Sequence, residues 1–185
     1  HEADHHGQRR GRDVIDKRLQ ADGADPLEVL QGDDAVCNRQ KHHGDDKLMV
    51  RARSAFLERG YYDPMRQELI RQGLTAAREG LTVLDAGCGE GYYTAELART
   101  LRAAGFRPGV SGIDISKAAL QEAAKRDRET EYAVASCFHL PVAGERVDLL
   151  LSVFAPYCGG EFRRVLRKNG LFLQVLAAED HLLGL

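Results

Sequence analysis

The chain has 185 residues, 43% of them hydrophobic, enough for one well-buried core with a small appendage at most. Its 26 basic and 28 acidic residues leave a net charge of -2, which excludes a general electrostatic grip on nucleic acid and leaves room only for a local basic patch. No apolar run approaches the roughly 20 residues that span a bilayer, and the opening HEADHHGQRRGRD lacks the apolar stretch of a secretion signal, so a cytoplasmic protein without a membrane partner is expected.

In chain order, residues 1–37 are rich in Asp, Arg, Gly and His, lack aromatics, and carry only scattered apolar positions. They show no pattern of a packed domain. Residues 38–80 form a helical lead-in. There KLMVRARSAFLERGYYDPMRQELIRQGL sets Met49, Ala52, Phe56 and Leu57 at helical spacing, stops at Gly60 and resumes after Pro64, so two helices joined by GYYDP are expected. Residues 81–185 alternate strand and helix: LTVLDAG is a buried strand, YYTAELARTLRAAG a helix ended by Gly105, and GVSGIDIS a strand. KAALQEAAKRD follows as a helix, TEYAVASC and RVDLLLSVFA as strands, GGEFRRVLRKNG as a helix closed by Asn169-Gly170, and LFLQVLA as a fifth strand. This order predicts an α/β fold with a doubly wound parallel sheet. The sequence stops at Leu185, so the expected sheet is truncated after its fifth strand and ends in an uncovered edge.

The stretch VLDAGCGEGYYT puts Gly87, Gly89 and Gly91 on alternate positions between the first of these strands and a helix. Small residues there let the backbone approach a ligand, and the free N–H groups of the helix start favour negative charge. Asp85 precedes the loop, and the spacing differs from the G-x-G-x-x-G of dinucleotide sites. Asp114 ends the next strand, where a carboxylate can accept both hydroxyls of a ribose, and ASCFHLPV sits where a loop would cover an adenine. Together these describe an adenosine-containing ligand without a pyrophosphate. The plain alternative is a helix cap at Asp85, a turn residue at Asp114 and a tight bend of glycines. The cysteines Cys37, Cys88, Cys137 and Cys158 are widely spaced, which reads as buried or free thiols.

The motifs VLDAGCGEGYYT, GIDISKAAL, HLPV, VDLLLSVFAPY and LRKNG resemble those of Rossmann-like S-adenosylmethionine-dependent methyltransferases. With GDDKLMVRARSAFLERGYYDPMR, VFAPY and DHLLGL in order, the chain from about Asn38 onward resembles the 23S ribosomal RNA (guanine-N1)-methyltransferase family. The resemblance implies methyl transfer from S-adenosyl-L-methionine to N1 of a guanine, with a hairpin or loop of 23S ribosomal RNA as partner. A homodimer is a further expectation. Gly87, Gly89 and Gly91 would pass under the methionine part with Glu90 near its ammonium, Asp114 would hold the ribose, and Ser136 with Cys137 would read the adenine edge. Tyr62, Gly89, Glu90 and His181 match cofactor-contacting positions of the family; Tyr62 can instead be a staple between helices and His181 a solvated residue.

The catalytic base is left open: Asp148 is expected to bind backbone or a neighbouring Arg, and Tyr157 is better placed at the open end of its strand. Family members also carry a zinc module of three cysteines and a histidine, in whose place residues 1–37 are atypical. Cys37, His42, His43, His5 and His6 fit no tetrahedral spacing, so zinc is expected in the family but its ligands are not found here. Arg51, Arg53, Arg163, Arg164, Arg167 and Lys168 form either an RNA-facing patch or solvated helix faces. The alternatives to the RNA enzyme are a small-molecule methyltransferase of the same fold and a degenerate fragment that binds cofactor without activity.

Overall fold

The computed structural model describes residues 14–17 and 47–177. In chain order the elements are β1 (Val14–Lys17), α1 (Lys47–Leu57), α2 (Asp63–Gly73), β2 (Thr82–Ala86), α3 (Tyr92–Ala103), β3 (Gly109–Asp114), α4 (Lys117–Arg126), β4 (Glu131–Val134), β5 (Val147–Val153), α5 (Gly159–Val165) and β6 (Leu166–Leu176). One six-stranded sheet runs β1-β6-β5-β2-β3-β4. Strands β2 to β6 are parallel to one another, and β1 lies antiparallel on the edge. The doubly wound parallel sheet is therefore as expected.

Strand parity explains the two-sided core. Successive side chains of a strand point to opposite faces, and central parallel strands are buried on both. In β5, Leu149, Leu151 and Val153 pack with Leu69, Tyr93 and Leu97 of α2 and α3 on one face. Leu150 points the other way, to Leu84, Phe162 and Phe172 over α5. Every residue of β5 is buried. The order turns at β2, whose neighbours β3 and β5 come from opposite directions of the chain, and such a switch point opens a crevice at the carboxyl ends of the strands.

Two expectations are corrected. The edge of the fifth parallel strand is not uncovered: β1 pairs with β6 in the register Val14↔Leu176 to Lys17↔Leu173. The segment that reads as unpatterned thus supplies an edge strand, whose ladder needs backbone groups more than apolar alternation. The helix expected to run to Asn169-Gly170 ends at Val165 instead. The amides of Glu145 and Arg146 donate to the carbonyls of Arg164 and Val165, at 2.9 and 2.8 Å, and so take the carbonyls a continuing helix would use. The chain then enters β6 at once, Leu166 facing Val147 and Leu171 facing Leu149, with residues 167–170 bulged between them. Asn169 takes the left-handed conformation there, at φ 65°.

At the amino end of the sheet Asp148 accepts from the amide and hydroxyl of Thr82, both at 2.9 Å, from Arg78 at 2.5 Å and from Arg167 at 3.0 Å. Burial works against its charge, but these donors outweigh it and hold the carboxyl below its ordinary range. This is the structural role expected for Asp148, at the opposite end of the strands from the crevice.

Candidate functional site

An open cleft of about 400 Å³ lies at the carboxyl ends of β2, β3 and β5, within the roughly 300–1,000 Å³ range of small-molecule sites. Its floor is the loop between β2 and α3. The amides of Gly87 and Cys88 both donate to the carbonyl of Ile113, at 2.9 Å, and fix the loop to the end of β3. Gly87 has φ +86°, and a Cβ there would come within 2.4 Å of the Cβ of Ala155. Gly89, at φ +53°, faces open space apart from a guanidinium nitrogen of Arg53, 3.9 Å from where its Cβ would stand. Both positions need glycine, one for close approach and both for the left-handed backbone.

The acids of the loop have distinct surroundings. Asp85 is 1% exposed, and its Oδ2 accepts from the hydroxyl of Thr94 at 2.5 Å, while Oδ1 has no protein partner. Burial pushes its pKa up to about 6, with the nearby charge of Asp114 adding to the effect and the Thr94 bond opposing it. Glu90 is also buried, which raises its pKa; Arg53, Arg126 and a 3.5 Å bond from the hydroxyl of Ser54 counteract this. Asp114 joins two loops: Oδ2 accepts from the amide of Gly89 at 2.9 Å and Oδ1 from that of Ser116 at 2.7 Å. Each oxygen keeps a second lone pair for a further donor, and Asp114 lines the cleft.

An aromatic wall closes the other side. Tyr62, at the start of α2, meets Phe56 of α1 and Phe154 edge-on, with ring centroids 5.9 and 5.8 Å apart. Phe154 follows β5 with φ +52° and is 41% exposed, an unusual backbone for a bulky residue and an unusual exposure for an aromatic. Ala155 and Pro156 complete the rim. Below the wall, Tyr92 donates to Asp63 at 2.8 Å while the Arg66 guanidinium sits 4.4 Å over its ring. Its burial and that bond push the phenol up to about 12. Cys88 and Cys137 are buried, which raises both thiols, the latter to about 12. With Cys158 they are free thiols, as expected, while Cys37 lies outside the described residues.

The structure brings Tyr62, Asp85, Gly87, Gly89, Glu90 and Asp114 together around the cleft. Gly91 starts α3 behind the loop, against Ala123 of α4. Ser136 is not among the cleft residues; its hydroxyl accepts from the amide of Phe138 at 3.2 Å in a local turn, within a small bridge to His139. Tyr157 does not face the cleft either, because its ring packs on Phe162 and Phe172 across the opposite face of the sheet. His181 lies outside the described residues, as do His5, His6, His42 and His43. Among the described residues no group of histidines, cysteines or acids could hold a metal ion, and no helix is long and apolar enough to cross a membrane.

Arg53, Phe56, Ile115 and Phe154 line the cleft without having been singled out for it from the sequence. Ile115 carried a readable signal, an apolar residue directly after a strand-ending acid. Phe154 lies within the VFAPY motif. Arg53 and Phe56 had only helical spacing, which says that they share a face but not what the face meets.

A parallel sheet with a switch-point cleft, a left-handed glycine loop and an acid at each of two strand ends is the arrangement of a Rossmann-like nucleoside-binding fold. The chain belongs to the methyltransferase domain family, whose model matches residues 77–182. It is 36% identical over 165 residues to a Micromonospora griseorubida protein named provisionally as a 23S rRNA (guanine-N(1)-)-methyltransferase, covering 81% of this chain and 55% of that protein. A second relative, the 23S rRNA (guanine(748)-N(1))-methyltransferase of Streptomyces fradiae, is 36% identical over 137 residues, 72% of this chain and 48% of its own length. The chain thus spans about half the length of these relatives. The malonyl-[acyl-carrier protein] O-methyltransferase of Hamiltonella defensa is 36% identical over 98 residues, 49% of this chain and 36% of that protein. In fold, the chain is similar to a Methanococcus maripaludis crystal structure described provisionally as an S-adenosyl-L-methionine-dependent methyltransferase, with a TM-score of 0.59 at 16% identity over 73% of this chain and 66% of that one.

Proposed function

We propose that this chain transfers a methyl group from S-adenosyl-L-methionine to N1 of a guanine in 23S ribosomal RNA. The observation that carries this reading is how far the likeness to the ribosomal RNA relatives extends. An alignment over 81% of the chain is longer than residues 77–182 and must take in the lead-in helices, which wall the cleft with Arg53, Phe56 and Tyr62. The likeness to the malonyl-carrier enzyme, over 49% of the chain, is short enough to lie within the shared domain. It supports a second reading, methylation of a carboxylate on a carrier or small molecule.

The residues of the cleft suit the cofactor. The unpartnered Oδ1 of Asp85 would accept from its ammonium, with Glu90 beside it and the backbone of Gly87 and Gly89 beneath. Asp114 would receive the ribose hydroxyls on its remaining lone pairs, and Ile115, 52% exposed at the cleft, would cover the adenine. Gly91 would support the loop from behind. His181 is proposed as a cofactor contact on the resemblance alone, and Ser136 would reach the adenine edge only from outside the present lining. When bound, the cofactor supplies an electrophilic methyl on a sulfonium. Transfer to guanine would require N1 held in line with that methyl and its proton passed out to solvent. Tyr62 and Phe154 would flank the incoming base and exclude bulk water, so that this chain contributes chiefly position and enclosure. A base held in folded RNA must leave its stack to reach such a cleft, which favours a hairpin or loop.

Two measurements test the reading. Calorimetry with S-adenosylhomocysteine should show binding by the wild type and a weakened affinity for Asp114→Ala. A transfer assay with labelled cofactor should mark guanine N1 in an unmodified 23S hairpin in preference to a malonyl-loaded carrier protein. Labelling of the carrier without the RNA would refute the assignment.

A further inference from the structure

Helix α1 presents Arg53, Phe56 and Leu57 on one face, and all three line the cleft. Arg51, two residues earlier and so on another side of the helix, lines a separate groove against α4 with Lys47 and Lys125. The two arginines therefore serve different places. The guanidinium of Arg53 stands over the open side of the glycine loop, one nitrogen 3.9 Å from the Cβ position of Gly89. Among the described residues that line the cleft, Arg53 is the only cation, and it faces a floor that holds Glu90 and the buried, unpartnered Oδ1 of Asp85.

We infer that Arg53 holds the carboxylate of the cofactor's amino-acid end and is not an RNA-binding residue. This rests on the cofactor reading above and adds to it the partner of that carboxylate. A floor of acid below and a guanidinium above suit a group that carries an ammonium and a carboxylate on one carbon. Adenine and ribose carry neither charge, and a phosphate would meet the acids of the floor as well as the arginine. The amino-acid end satisfies both sides, its ammonium toward Asp85 and Glu90 and its carboxylate toward Arg53. A planar guanidinium is also the side chain best suited to grip a carboxylate with two parallel hydrogen bonds.

The test compares two ligands on the same protein. S-adenosylhomocysteine has the amino-acid end; 5′-methylthioadenosine has the adenosine and the sulfur without it. By calorimetry, Arg53→Ala should weaken S-adenosylhomocysteine by about 10-fold or more and 5′-methylthioadenosine by less than about two-fold, the loss of one charge-assisted contact. Arg53→Lys should recover part of the loss, and Arg51→Ala should leave both affinities unchanged. Equal losses for the two ligands, or none for either, would overturn the inference. So would a salt dependence of RNA binding that falls by about one counterion in Arg53→Ala, which is the mark of a phosphate contact. If the wild type binds 5′-methylthioadenosine but not S-adenosylhomocysteine, the inference fails while the adenosine site stands; if it binds neither, the cofactor reading fails with it.

Discussion

Replacing Asp85 by Asn should make the ligand-free protein more stable at neutral pH while weakening its hold on cofactor. The native carboxyl, 1% exposed with one oxygen unpartnered, titrates at about 6 where an ordinary aspartate titrates at 3.8. Between those values the folded state binds more protons than the unfolded one, so stability falls as pH rises from about 4 to about 6 and is level above. At 1.36 kcal/mol per pH unit the cost of keeping the buried carboxylate ionised reaches about 3 kcal/mol above pH 6. Asparagine keeps the shape and the bond from Thr94 and carries no charge. With urea slopes of about 1–3 kcal/mol/M, its midpoint at pH 7.5 should rise by roughly 1 M or more, and the gain should shrink toward zero near pH 4. A bound ammonium beside Asp85 favours the charged form, so wild-type affinity for S-adenosylhomocysteine should decline as pH drops through about 6, and that dependence should vanish in Asp85→Asn. Urea titrations at both pH values with calorimetry across the range decide the matter. A variant less stable than wild type at pH 7.5, or a gain of equal size at pH 4, would show that the buried charge of Asp85 does not destabilise the fold.

Three further outcomes are expected. Asp148→Ala removes the shared acceptor of Thr82, Arg78 and Arg167 and should cost about 2–4 kcal/mol in urea unfolding; S-adenosylhomocysteine affinity should be unchanged, because the cluster lies at the far end of the strands. Gly87→Ala sets a methyl 2.4 Å from the Cβ of Ala155 on a left-handed backbone and should lose both stability and cofactor affinity, whereas Gly80→Ala, at φ +67° with nothing within 4 Å, should show only the backbone cost, about 1–2 kcal/mol. Phe154→Gly relieves the φ of +52° but gives up the edge contact with Tyr62 and the buried part of the ring; the losses exceed the relief by about 1–2 kcal/mol, so the thermal midpoint should fall while methyl transfer drops sharply.

The parallel core was legible because its cause is local and repeated. Runs such as VLDAG and VDLLLSV, punctuated by glycine turns, can be buried on two faces only inside a wound sheet. Asp85, Gly87, Gly89 and Asp114 could be placed for the same reason, since strand ends and turn residues fix their position relative to the sheet. The failures share a different cause. Strand β1 and the early end of α5 depend on backbone pairing with distant partners, β6 and the Glu145-Arg146 segment, which side-chain pattern does not encode. Tyr157 stands at a strand end as expected, yet its ring finds more apolar surface against Phe162 and Phe172 than in the cleft. Arg53 needed knowledge of how α1 docks, a tertiary fact.

The contact between positions 87 and 155 has a bearing on how this site can change over generations. One lies in the loop after β2 and the other beyond β5, and they meet with no room for an added atom. Shortening Ala155 to glycine would open space at 87, yet the φ of +86° would still penalise any side chain placed there. Enlarging Ala155 first would press on the glycine loop and close the cleft floor. Neither order of substitution leads to a well-formed side chain at 87, so that position should persist as Gly, with a small residue at 155, among descendants that keep the activity. Novelty in substrate choice would then have to arise along the rim, at positions such as Phe56, Tyr62 and Phe154, where side chains meet one another and not the backbone.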